Sequence, residues 1–401
     1  MEKKKHSRLL FIITVILLNM AASFAHPVTP TIFKNLNLGD YMFGVALGSM
    51  TIVNFLLSPF WGKINTYISS KKSLFIGCLG YALGQAFFGL AKTETQFIIA
   101  RSFTGAFTGA VFVSLLTYVV NTAPDERQRG RDLTLVATIQ SVGSAFGFLT
   151  GGLLGEIHTY LAIVVQVICL VICGISFFLI CEDDASIPLS SLKFSELAKQ
   201  ANPFQAFVDS RKFLNVVLAF LFGVVMTQSL GFTAFDQSFN YYIKDVFGFS
   251  SGYNGLLKGA MGIITLIANT TIALWLINKT DLRKSIVWIL AICVITVTGV
   301  VLVDAVIPFI IINVLFFAFN AVTIPMIQAL VSQSAKEKDS NLVMGFYNAM
   351  KSLGSIIGAF ASGALYTMNP KFPFVLTLVA FFFGTIFAFT YQKRDIAANN
   401  S

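Results

Sequence analysis

Twelve stretches of this chain run for roughly 20 residues with few or no charges, the length an α-helix needs to cross the hydrocarbon of a bilayer. They cover about Arg8 to Phe33, Met42 to Gly62, Ser73 to Ala91, Gln96 to Asn121, Leu133 to Gly155 and His158 to Cys181. A second set covers about Phe213 to Phe239, Gly252 to Ile277, Ser285 to Val303, Val306 to Ser332, Leu342 to Tyr366 and Phe372 to Tyr391. Only 12% of residues are charged and mean hydropathy is +0.77, against about a quarter charged in soluble domains. The expected fold is therefore all-α, a polytopic membrane protein of twelve transmembrane helices.

The chain also repeats itself. Gly143-Ser144-x-x-Gly147-x-x-x-x-Gly152 recurs 211 positions later as Gly354-Ser355-x-x-Gly358-x-x-x-x-Gly363, and Gly44 maps onto Gly255 at the same interval. A repeat spanning half of a membrane chain is the layout of a secondary transporter. It predicts two pseudo-symmetric six-helix bundles, residues 1–181 and 212–394, with a polar linker over 182–211 and a tail over 395–401. A short surface helix is expected within the linker, around Phe194 to Ala201. Glycines spaced four or five residues apart let helix backbones approach closely. Gly143, Gly147, Gly151 and Gly152, with Gly354, Gly358 and Gly363, therefore mark either tight packing alone or a seam at which the bundles slide.

The net charge of +9 is distributed by topology. Of 28 Lys and Arg, 21 fall on one side of the twelve-span arrangement, from Lys3 to Arg8 through Arg127 to Arg131 to Lys393 and Arg394. Positive residues stay cytoplasmic, so both termini and the linker are expected inside. This placement argues against a nucleic-acid footprint. Lys3 to Lys5, an apolar run and Ala22-Ser23-Phe24-Ala25 imitate a cleavable secretory signal. The apolar register resumes after His26, so the segment is expected to remain as the first helix. Cys78, Cys169, Cys173, Cys181 and Cys293 sit in or at the ends of apolar stretches. No His or carboxylate joins them, so neither a metal site nor a disulfide framework is expected. No phosphate-binding or metalloprotease motif is present, and no polar segment is long enough to fold as a catalytic domain.

Ionisable groups inside the spans are functional candidates because burying them is costly. They are Asp236, Arg101, Lys258, Lys351 and His26, and Asp236 is the one carboxylate well within a span. Water-poor surroundings favour the neutral form of an acid, which suits a proton carrier. Asp236 could instead be pinned in an ion pair to Lys351 or Lys258. Arg101 is either a tether satisfying helix carbonyls or part of the coupling; Lys258 could simply snorkel. His26, followed by the helix-breaking Pro27 and Pro30, is a proton relay or a partner of a freed carbonyl. Asn19, Gln140, Gln228, Asn320, Asn348 and Lys351 could line a substrate cavity.

The glycine pattern carries a resemblance. Gly143-x-x-x-Gly147-Phe148-x-x-Gly151-Gly152 is similar to the fifth-helix G-x-x-x-G-P-x-x-G-G of the twelve-span drug–proton antiporters, a branch of the major facilitator superfamily. Phe148 replaces the proline. Phe97 to Gly105, FIIARSFTG, resembles the fourth-helix pattern, with Arg101 in its arginine's place. Gly62-Lys63-Ile64-Asn65-Thr66 followed by Ser70-Lys71-Lys72 resembles the loop G-x-L-x-D-R-x-G-R-K. Thr66 stands where that loop has its acid, and Ser69 and Ser70 replace its Gly and Arg. The corresponding loop of the second half, Asn278 to Lys284, keeps Asp281.

The resemblance implies a cell-membrane transporter, bacterial and monomeric, without cofactor or enzymatic activity. Its partners would be protons, a small-molecule substrate and the lipid bilayer. The expected function is proton-coupled export of small amphipathic or hydrophobic compounds by alternating access, with a proton-binding acid in the seventh helix at Asp236. Export of a polar metabolite and a non-transporting sensor or scaffold are the alternatives.

Overall fold

A computed structural model describes residues 2–184, 201–334 and 340–399, and all regular structure within them is helical. All but the last residue of the expected 194–201 helix lies outside these residues, as do Lys193, Lys199, Lys336 and Lys338. In the first half of the chain the helices are α1 (Glu2–Ser23), α2 (Thr29–Asn35), α3 (Met42–Ile68), α4 (Ser70–Leu90), α5 (Glu94–Thr122), α6 (Glu126–Ile157) and α7 (Leu161–Ile180). A short α8 (Gln205–Asp209) precedes α9 (Val216–Asp245), α10 (Ser251–Lys279), α11 (Leu282–Leu302), α12 (Val306–Gln333), α13 (Ser340–Met368) and α14 (Phe372–Asn399). Ten of these are individually long and apolar enough to cross a bilayer. The apolar part of α1, Arg8–Ser23, is shorter, and the 29-residue α13 is not among the ten.

The helix ends are written locally. Thr93 and Gln96 form a reciprocal capping box on α5, and Asp125 caps α6 through the Gln128 N–H at 2.7 Å. Asn215 caps α9 through the Leu218 N–H at 2.9 Å. The first expected span is not one helix. α1 stops at Ser23, the chain turns through Pro27, and α2 restarts at Thr29 with Pro30 in its first turn, because proline supplies no N–H and disfavours helix in the residue before it. α10 is interrupted by a π-helical turn over Asn269–Ala273.

Each helix divides its surface between protein and lipid. On α7, Ile163, Gln166, Leu170, Cys173 and Phe177 are buried at helical spacing, while Val164, Ile168, Ile172, Ile175 and Leu179 are exposed on the opposite stripe. In water such a stripe would be a liability; for a helix in a bilayer it is the solvated face.

The chain forms two compact units. One comprises Met1–Leu38, Ser49–Pro203 and Gly248–Gly262, the other Gly39–Gly48, Phe204–Phe247 and Ile263–Ser401. The first turns of α3 thus pack within the C-terminal unit and those of α10 within the N-terminal one. Inside the N-terminal unit α1 packs on α6 and α7, and α4 on α5 and α7. Inside the C-terminal unit α9 packs on α13 and α14, and α11 on α12 and α14. The two adjacency patterns are the same when each helix is moved to its repeat counterpart.

The repeated glycines lie where main chains meet. A Cβ on Gly147 would fall on the Met20 carbonyl oxygen of α1, and one on Gly151 on that of Phe24. In the other unit Gly354 would meet the Met226 oxygen at 2.5 Å, and Gly358 would fall on that of Leu230, both on α9. The last glycine of each ladder meets its counterpart's partner. A Cβ on Gly152 would lie 2.8 Å from Gly255 Cα, and one on Gly363 would lie 3.1 Å from Gly44 Cα. Gly62 differs, since a Cβ there would only touch Val113 at an ordinary 3.6 Å.

Gly147→Ala forces the α1 and α6 backbones apart. It should destabilise the detergent-purified protein by about 1–3 kcal/mol, the usual cost of overpacking. Gly62→Ala should stay within about 0.5 kcal/mol of the parent. Thermal unfolding of the two variants side by side checks this; equal melting temperatures would count against the seam.

Candidate functional site

The candidate residues divide between the units. Arg101, His26, Asn19, Gln140 and Lys258 belong to the N-terminal unit; Asp236, Gln228, Asn320, Asn348 and Lys351 belong to the C-terminal one.

Arg101 is 7% exposed on α5 and its surroundings are specific. Its guanidinium lies over the Phe88 ring of α4, 4.0 Å from the centroid. Nη2 donates to Thr29 Oγ1 at 3.5 Å and Nη1 to Met50 Sδ at 3.9 Å, while Nε has no hydrogen-bond partner among the described residues. Arg101 therefore ties α5 to α2, α3 and α4 through soft and aromatic contacts. A guanidinium suits such a tether because its planar face stacks while its edge donates. Gly105, one turn further along α5, meets the Met50 carbonyl, so the same α3–α5 crossing is closed by backbone contact.

His26 stacks on Phe148, ring centroids 5.3 Å apart, and Lys258 Nζ lies 5.8 Å from the centroid of that ring. Phe148 thus gathers two of the ionisable groups read from the sequence. The position is legible in retrospect, since Phe148 is the residue that departs from the antiporter glycine–proline pattern. Asn19, 3% exposed, donates to the Val15 carbonyl of its own helix at 2.8 Å and packs against Gly143. Its amide belongs to the α1–α6 seam. Gln140 is half-buried on α6.

In the C-terminal unit, Gln228 of α9 donates through Nε2 to Asn320 Oδ1 of α12 at 2.9 Å. The two residues are 6% and 1% exposed. Asp236 is half-buried on α9, and Gln237 Nε2 donates to its Oδ2 at 3.3 Å. Lys351 is exposed on α13, as is Asn348 one turn before it. The α9–α13 register is set by Gly354 at Met226, Gly358 at Leu230 and the Thr233–Ser355 hydroxyl bond of 3.1 Å. It leaves Lys351 roughly 10–20 Å along the helix axes from the level of Asp236. An Asp236–Lys351 ion pair, one of the pairings open from the sequence, is therefore not formed.

Sequence reasoning missed a second polar cluster in this unit. Tyr241 donates to Asp40 Oδ1 at 2.7 Å and Tyr366 to Asp245 Oδ2 at 2.9 Å. The two phenol rings are perpendicular, 5.2 Å apart, and Phe43 stacks on Tyr241 at 4.9 Å. The signal in the sequence was weak, because Asp40 and Asp245 sit at span ends, where carboxylates are ordinary.

The Gln228–Asn320 bond gives a direct test of polar packing. Gln228→Leu strands the buried Asn320 amide and should cost about 1–3 kcal/mol. Gln228→Leu with Asn320→Leu together should cost less than the sum of the single changes. Unfolding measurements on the four proteins of the double-mutant cycle check it.

A chain of apolar helices, doubled at one interval, seamed by glycine and carrying few buried charges matches known proteins throughout. The chain is 22% identical to Multidrug resistance protein 2 of Bacillus subtilis over 381 residues, 93% of this chain and 92% of that one. It is 21% identical to Multidrug resistance protein 1 of the same organism over 390 residues, 96% of each. Among solved structures, a bacterial homologue of the iron transporter ferroportin in its inward-facing state superposes with a TM-score of 0.76 at 13% identity, covering 96% of this chain and 98% of that one. Both of the Bacillus relatives are bacterial, and the ten apolar helices and the shared fold mark this chain as a multi-pass membrane protein. The Major Facilitator Superfamily sequence model matches residues 11–320 and 305–400, nearly the whole chain, and this protein belongs to that family.

Proposed function

We propose that this transporter expels small amphipathic or hydrophobic compounds in exchange for protons, with Asp236 carrying the proton. The observation that carries this reading is the placement of Asp236. Among the described residues it is the carboxylate lying more than two turns inside a membrane-crossing helix, and it is neither sealed in the core nor fully exposed. Intramembrane acids are expensive, and a group kept at such cost is expected to work. The names of the Bacillus relatives support drug-like compounds as the substrate class. Polar-metabolite export is less well supported, because the Gln228 and Asn320 side chains are spent on each other rather than offered to a ligand.

In this scheme protonation removes the Asp236 charge, loosens the contacts that the carboxylate makes and lets the halves exchange access; release of the proton on the other side resets it. A cationic substrate competes for the same carboxylate. Arg101 is assigned to holding α2, α3, α4 and α5 in register, and His26 on its Phe148 platform is the reserve proton site. The protein works as a monomer without cofactor in the bacterial cell membrane. α1 with α2 and α13 complete twelve crossings, leaving both termini cytoplasmic.

Asp236→Asn keeps size and hydrogen bonding but cannot ionise. In proteoliposomes with an imposed pH gradient, uphill movement of a fluorescent hydrophobic cation should collapse to near background, while downhill exchange survives. Uphill export by Asp236→Asn would move the proton elsewhere, with His26 next to test. For topology, single cysteines near Lys393 and within residues 182–184 should react with an impermeant maleimide only from the cytoplasmic side. Labelling of the C-terminus from outside would require an odd number of spans.

A further inference from the structure

The interval of 211 that pairs the glycines also pairs two acids, Asp184 and Asp395, which the transport reading leaves unused. Each follows the last crossing of its half or lies at its end. Asp184 Oδ1 accepts from the Ser70 backbone N–H at 2.6 Å, and its Oδ2 accepts from Ser70 Oγ at 2.6 Å and from Asn121 Nδ2 at 2.9 Å. Those groups are the first turn of α4 and the last turn of α5. Asp183 pairs with Lys72 Nζ at 3.6 Å, and the Glu182 N–H donates to Tyr118 Oη at 3.2 Å. Three consecutive residues after α7 thus grip the loop between α3 and α4 and the end of α5.

The grip is needed locally. Ser69, which precedes α4, is fully buried at φ 63°, the left-handed region that favours glycine, and no side chain of that turn caps the helix. The carboxylate of Asp184 supplies the cap from 114 residues away, with the sign that a helix N-terminus attracts.

The C-terminal unit shows the counterpart. Asp281, which the repeat aligns with Ser70, caps α11 through the Arg283 N–H at 3.1 Å. Arg283 Nη1 then donates to Asp395 Oδ2 at 2.9 Å. Where the loop has its own acid, the distant carboxylate reaches it through an arginine. Where the loop has Ser70 in that place, the distant carboxylate takes the cap itself.

We propose that Asp184 and Asp395 are a repeat-related pair of clamps that position the loop joining the second and third crossings of each half, and that Asp184 supplies at Ser70 the carboxylate that Asp281 supplies at the matching position of the second half. Both are positioning residues. A loop held this way can move only with the start of the linker, so the clamp couples the 182–184 segment to the rate of the transport cycle rather than to substrate affinity.

Full-length protein in proteoliposomes decides it. In Asp184→Ala, amide hydrogen exchange over residues 70–73 should accelerate about tenfold while residues 97–100 stay unchanged. Efflux of the cationic dye ethidium should lose about fivefold in turnover at constant KM, and Asp184→Glu should restore both readouts. Asp395→Ala, which leaves the Asp281 cap in place, should accelerate exchange over residues 282–285 by a smaller factor. Ser70→Ala, which keeps the backbone bond and removes the hydroxyl one, should give a smaller version of both losses and replaces Asp184→Ala if that variant fails to insert. Unaltered exchange over residues 70–73, a loss not recovered by Asp184→Glu, or a raised KM at constant turnover would overturn the clamp. If ethidium is not transported by the parent, the exchange measurement decides alone, and the drug-export reading fails separately.

Discussion

Main chain pressed against main chain at glycine is the contact on which the remaining structure rests. In lipid there is no hydrophobic drive to bring two apolar helices together, so association depends on close packing and on what the helices bond across the gap. Gly147 and Gly151 admit the carbonyls of Met20 and Phe24, and Gly354 and Gly358 admit those of Met226 and Leu230. Without these approaches α6 and α13 would stand off from α1 and α9, and the Thr233–Ser355 bond would open. The register that separates Lys351 from Asp236 is set by the same contacts.

Polar groups inside the units follow a common economy. Gln228 answers Asn320, Asn19 answers its own helix, and Arg101 is met by a ring, a sulfur and a hydroxyl. Each arrangement limits what is left for a ligand. Asp236 stands apart as an acid deep in a span that is only half-buried, which is why the proposed chemistry converges on it.

Ten of the twelve apolar runs read from hydropathy are helices long and apolar enough to cross, because a helix in lipid must bond its own backbone and the length of an apolar run is then a direct measure of a span. The break in the first span was signalled by Pro27 and Pro30, yet its extent depended on how Ser23 to Thr29 turn. Polar residues were harder to place. Asn19, Gln140 and Gln228 look alike in sequence, but one lies in a seam, one is half-buried on α6 and one is bonded across to α12. Helical periodicity gives a face, not a partner.

The sequence alone determined the helical class, the doubling at 211 residues, the repeated glycines and the short roll of charges within the apolar runs, because each depends on local composition or on self-comparison. Tertiary structure decided the rest. It joined Gly152 to Gly255 and Gly363 to Gly44, set His26 and Lys258 on Phe148, tied Tyr241 to Asp40 and brought Asp184 to Ser70. These pairs lie from about 100 to more than 300 residues apart in the chain. Which of many similar polar and small residues meet is fixed only when two helices settle into one register, and that register depends on all the contacts of both helices at once.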